Sequence, residues 1–130
     1  MNTRVRSTAF AKRTFSVAAL YGLVVLLPQY FLEAKNGRDF PPPIRHTEYY
    51  YGFVGIAIAW QIVFLIIATD PDRYRLLILT AILEKASFGI PVVLLFSLHR
   101  VSVTMFAAGS VDLVLGFLFS VAYIKTGLPQ

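Results

Sequence analysis

The chain has 130 residues, a net charge of +5 and no cysteine; 57% of it is hydrophobic and only 15% charged. A soluble domain carries roughly 25% charged residues, so this composition, with a mean hydropathy of +0.67, reads as a single domain, 1–130, built for lipid. The missing cysteine excludes disulfides, thiolate metal sites and dithiol redox chemistry. Much of the positive charge flanks apolar runs, which points to orientation in a membrane rather than to nucleic acid.

A membrane-crossing helix needs roughly 20 mainly apolar residues, and four segments qualify. The first is 14–32, preceded by Arg4, Arg6, Lys12 and Arg13. A basic start and an apolar middle also describe a cleaved signal peptide. The run is long, however, and "PQYFLEAKNG" after it lacks a small-residue cleavage pattern, so a retained span is expected. The connection at 33–49 carries Pro41, Pro42 and Pro43, which favour an extended polyproline path. Tyr49, Tyr50 and Tyr51 then fit an aromatic belt at the membrane surface.

The second span is 50–69. Gly52, Gly55 and Ala59 share one face and suggest close helix packing, with Ala57, Gln61 and Ala68 opposite. "TDPDRYR", 69–75, reads as a helix start: Asp70 as cap, Pro71 in the first turn, Asp72 at the positive end of the dipole. A tight hairpin between spans two and three is expected. The third span, 75–98, and the fourth, 101–124, are joined by "SLHRVS" and form a second hairpin. The fold class is therefore all-α, an integral membrane four-helix bundle. With the N-terminus inside, seven basic residues (Arg4, Arg6, Lys12, Arg13, Arg73, Arg75, Lys125) lie on the inner side and four (Lys35, Arg38, Arg45, Arg100) on the outer. That bias predicts both termini in the cytoplasm, with loop 33–49 outside.

Within the third span, "LTAILEKASFGIP" places Glu84 and Lys85 side by side in an apolar run. At 1.5 Å per residue, Glu84 lies roughly 12 Å from the inner face and Asp112 of span four about 18 Å from it. Gln61 of span two sits roughly 12 Å above Thr69, so the four polar residues fall in one layer. Gly109, Asp112, Gly116 and Ser120 form a small, polar stripe on span four that is expected to face protein. Glu84 and Lys85 lie about 100° apart on their helix, so they point to different neighbours. An isolated charge in lipid costs at least ~2.5–3.5 kcal/mol. Pairing Lys85 with Asp112 across the hairpin and placing Glu84 beside Gln61 lowers that cost.

Glu84, Lys85, Asp112 and Gln61, with Trp60 as an aromatic wall, are thus candidate ligand- or ion-binding residues. The bland alternative is that the layer only fixes helix packing. His46 and His99 both fall near the outer face and are weak metal candidates without a third ligand. No phosphate loop, nucleophile elbow or dinucleotide fingerprint occurs, and no cofactor is expected.

The length, the four spans and "YYGFVGIAIAWQIVFLIIATDPDRYR" at 50–75 resemble the small four-span bacterial families loosely called DoxX-like. The resemblance is architectural. It implies a bacterial inner membrane and carries over no functional residue. Three functions stay open: binding or transport of a small molecule, ion or proton at the polar layer; an accessory or scaffolding subunit; and a membrane-embedded enzyme acting on a lipid-like substrate, with Glu84 or Asp112 as acid or base. The expected partners are the lipid bilayer and a homo-oligomer or larger membrane complex.

Overall fold

The computed structural model describes residues 3–127. Over these residues all regular structure is helical: α1 (Thr3–Leu26), a 3-10 turn (Leu27–Phe31), α2 (Glu33–Asp39), α3 (Thr47–Thr69), α4 (Arg75–Ser97) and α5 (Val103–Thr126). Four of these helices are long and apolar enough to cross a membrane. Their outward faces carry Leu20, Val24, Ile56, Leu83 and Phe117, each about two-thirds exposed. Such a coat of apolar side chains belongs in hydrocarbon, where backbone groups bonded within each helix leave nothing unsatisfied.

The first helix starts well before the expected span at Thr14. No glycine occurs before Gly22 and no proline before Pro28, so nothing interrupts the helix from Thr3 onward. Ser7, Ala11, Phe15, Ala18 and Gly22 recur every three or four residues and make one buried stripe. Pro28 then ends the α-helix by denying it a backbone donor, and the chain tightens into the 3-10 turn. The connection that follows is not extended from 33 onward: its first seven residues form α2, and regular structure is missing only from 40 to 46. Tyr50 and Tyr51 do more than line an interface. The Tyr50 hydroxyl donates to the Gln29 carbonyl (2.7 Å) and accepts from Asn36 Nδ2 (3.0 Å), while the Tyr51 hydroxyl donates to Glu33 (2.7 Å). These bonds fasten the α1–α2 corner to the start of α3.

Helices α4 and α5 pack most extensively, α1 packs on α3 and on α5, and α3 touches α4 only lightly. The expected hairpin of spans two and three is therefore a sequence neighbour more than a packing pair. The reason lies in α1. Its Ala11, Ala18, Ala19 and Gly22 form a notch, and α3 fills it with larger chains: Val54, Gln61, Phe64 and Ile67 are the buried residues. The expected small-residue face of α3 points outward instead. Gly52 has nothing within 4 Å of a Cβ, Ala59 is exposed, and Gly55 meets only the Tyr30 hydroxyl.

The connection at 70–74 also differs from its reading as a helix start. Asp70 Oδ1 accepts from the Arg73 amide (3.2 Å), Pro71 is buried in the turn, and α4 begins at Arg75. Asp72 faces α1, where it accepts from the Thr8 hydroxyl (3.2 Å) and lies 3.8 Å from Arg4 Nε. At the other end, His99 closes α4 with a left-handed φ of 56°. The His99 amide bonds Phe96 O and the Arg100 amide bonds Leu95 O, which is a Schellman closure.

The centre of the bundle is aromatic. Phe15, Phe64 and Phe119, one each from α1, α3 and α5, are fully buried with ring centroids 4.2 to 6.0 Å apart. Ile78 and Ala81 of α4 complete that cluster. On the α4–α5 side the helices cross on glycine: a Cβ on Gly109 would sit 2.6 Å from Val92 Cγ1, and one on Gly89 would sit 2.7 Å from Leu113. Gly109→Ala is expected to overpack this crossing and cost about 1–3 kcal/mol, read as a lower melting temperature in detergent. Gly52→Ala should leave stability unchanged or slightly raised, because its methyl group meets nothing and alanine is the better helix former. Equal losses in the two variants would contradict the crossing.

Candidate functional site

Lys85 occupies the middle of the buried stripe of α4, between Ala81 and Gly89, and is 4% exposed. It is the eleventh residue of a helix of 23, near the middle of that span. Gly116 of α5 lies opposite; a Cβ there would come within 3.3 Å of Lys85 Cβ. The glycine clears the way for the lysine stem, which is why the small stripe of α5 faces α4. The ammonium then reaches three groups. It donates to Asp112 Oδ1 at 3.2 Å, lies 3.6 Å from Glu84 Oε2, and stands 5.2 Å from the centre of the Phe64 ring. The ring offers its electron-rich face to the cation from α3.

Glu84 and Lys85 leave the helix in different directions, yet their tips converge. The lysine is long enough to turn toward the flank on which Glu84 sits. Both carboxylate side chains are 15% exposed, against 6% for the lysine. Glu84 Oε2 is buried and forms no hydrogen bond.

Gln61 does not join this cluster. Its Nε2 donates to Ala57 O on its own helix (2.8 Å), and its side chain fills the notch at Gly22, where a Cβ would fall 2.0 Å from Oε1. Equal depth put Gln61 in the same layer, but the facing of α3 turns it to α1. Its Oε1 is likewise buried without a hydrogen-bond partner. Trp60 is half-buried and its ring stands 6.3 Å from Phe64, on the edge of the aromatic core. His46 is exposed, 3.2 Å from Glu48 and stacked on Tyr49, while exposed His99 serves the helix closure. Among the described residues no group of three His, Asp or Glu could hold a metal ion.

Sequence reasoning missed Phe64 as a neighbour of the charges. Phe64 lies on the buried stripe with Gln61, so its inward direction was readable; its reach to Lys85 was not. Chemically, the arrangement is two carboxylates around one ammonium in a low-dielectric layer. Glu84 Oε2 has only the more distant ammonium contact and no hydrogen bond, and both acids keep a partly open edge. Comparison with protein-family models, curated proteins and solved structures finds no match.

Removing the ammonium strands two acids rather than one. Breaking a buried pair commonly costs roughly 3–5 kcal/mol, so Lys85→Met should sharply reduce the folded yield in detergent. Adding Glu84→Gln and Asp112→Asn to Lys85→Met should recover much of it. A triple variant no better folded than the single one would show that the three side chains do not act as a unit.

Proposed function

We propose that the chain is a multi-pass membrane protein that binds or transports a proton or a small cation at the Glu84–Lys85–Asp112 cluster. The observation that supports this reading is the charge count. Two largely buried carboxylates share a single buried ammonium, and Glu84 Oε2 has only that ammonium, at 3.6 Å, to balance it. When all three are ionised, one negative charge is left over in a medium where an isolated charge costs several kcal/mol. A proton or a small cation at Glu84 balances it. Ionisable groups placed in this way within spans mark ion and proton paths.

The reading includes an orientation and a setting. Both termini are placed in the cytoplasm by the basic bias of seven to four, and the DoxX-like resemblance would place the chain in a bacterial inner membrane. Four helices of this length barely enclose a pore, so a transport path calls for a second copy or a larger membrane complex. Reporter fusions at Lys125 and within 33–49 should report opposite sides, with Lys125 cytoplasmic; a periplasmic Lys125 would reverse the orientation.

An accessory-subunit reading draws on a different observation, the close fit of Lys85 over Gly116 with its bond to Asp112. There the cluster would only set the register of α4 on α5. The two readings part at Glu84. In vesicles with an internal pH indicator, the protein should accelerate proton or monovalent-cation movement under an imposed gradient. Glu84→Gln should abolish that movement while its melting temperature stays close to that of the unaltered chain. No flux through the unaltered chain would leave the accessory reading standing.

A further inference from the structure

The charge of this protein is sorted by depth. Arg4, Arg6, Lys12, Arg13, Arg73, Arg75 and Lys125 gather at the end where α1 begins and α5 finishes, with only Asp70 and Asp72 against them. The opposite end is almost balanced, with Lys35, Arg38, Arg45 and Arg100 beside Glu33, Asp39 and Glu48. Contacts confirm that the first group shares one end. Asp72 meets Thr8 and Arg4, Lys125 Nζ stands 4.4 Å from the Phe10 ring centre, and Arg75 bonds the Tyr123 carbonyl (3.1 and 3.2 Å). Those contacts engage Arg4, Arg75 and Lys125. Arg6, Lys12 and Arg13 are exposed, and among the described residues they form no ion pair.

A shallow, open groove of about 390 Å³ lies on the outer face of α1 alone at this basic end, lined by Arg4, Val5, Thr8, Ala9 and Lys12. Arg4, Thr8 and Lys12 recur every four residues, so a guanidinium, a hydroxyl and an ammonium descend one side of it. Val5 and Ala9 lie beside them as an apolar strip. Ser16 and Leu20, both exposed, carry the same face of α1 toward the middle of the span. A polar, cationic head region thus leads into a lipid-facing track of modest relief on a single helix. Since α1 begins eleven residues before the apolar run at Thr14, the groove stands at headgroup depth.

We propose that this groove binds an anionic phospholipid, with the phosphate between Lys12 and Arg4 and an acyl chain along Ala9, Ser16 and Leu20. Opposite charge supplies the attraction, and the track selects a lipid over a soluble anion. Asp72 limits the site on one side: it shares Arg4 and takes the Thr8 hydroxyl bond, so Lys12 carries most of the recognition. The inference is independent of any proton or cation chemistry at Lys85.

Purified protein in one detergent is titrated with phosphatidylglycerol or phosphatidylcholine, and bound lipid is counted by native mass spectrometry. Phosphatidylglycerol should be retained at ratios where phosphatidylcholine is lost. Lys12→Gln should weaken that retention about fivefold, the effect of one basic side chain near an anionic surface, and Lys12→Arg should restore it. Arg45→Gln, exposed at the opposite end, should change nothing. Inorganic phosphate should displace no more lipid than chloride at equal ionic strength. Equal retention of the two lipids, an unaffected Lys12→Gln, an equal loss in Arg45→Gln, or displacement by inorganic phosphate would each overturn the assignment.

Discussion

A lysine ammonium in the middle of a bilayer must find negative charge within reach of its own side chain, and that requirement organises this bundle. Lys85 meets it with Asp112 across the α4–α5 interface and with Glu84 on its own helix. To bring Asp112 so close, α5 must approach α4 with little side chain between them. Gly89, Gly109 and Gly116 supply that closeness. The most extensive packing in the chain is thus also the packing that shields the charge. Small residues and buried charge are two halves of one arrangement, because neither hydrocarbon nor a looser crossing would satisfy the ammonium.

The other half of the bundle works without charge. Helices α1 and α3 meet through a notch of alanines and Gly22 filled by Gln61, Phe64 and Ile67. Phe15, Phe64 and Phe119 then join this half to α5. Phe64 belongs to both halves, since its ring also faces the Lys85 ammonium. A single side chain of α3 therefore links the aromatic core to the polar cluster. Elsewhere α3 and α4 meet lightly, with Phe53 and Phe88 touching at 5.7 Å between ring centres.

Much of this was legible in the sequence. Four apolar runs of sufficient length gave four long helices, and the Gly109–Gly116 stripe foretold which face of α5 meets α4. The proximity of Lys85 to Asp112 followed from a short connection and matching depth. Depth alone was not enough for Gln61: a layer fixes height, but which neighbour a residue meets depends on how α3 packs on α1, and that turns on complementary shape at Gly22. The small face of α3 misled for a related reason. Close approach needs small residues on one partner only, and here α1 provides them. The helical start of α1 was readable from the spacing of Ser7, Ala11, Phe15 and Ala18; a search for uniformly apolar residues passes over it, because its outer face is basic.

The central claim is that the Lys85 ammonium is held by both carboxylates inside the bilayer. Solid-state NMR in lipid bilayers tests it by dipolar dephasing between 15N-labelled lysine Nζ and 13C-labelled aspartate and glutamate carboxyl carbons. The sample would carry Lys35→Gln, which removes the separate surface pair of Lys35 with Asp39. The account predicts strong dephasing of one lysine resonance by both an aspartate and a glutamate carboxyl carbon. If no lysine signal dephases with both carboxyl carbons, the claim is contradicted.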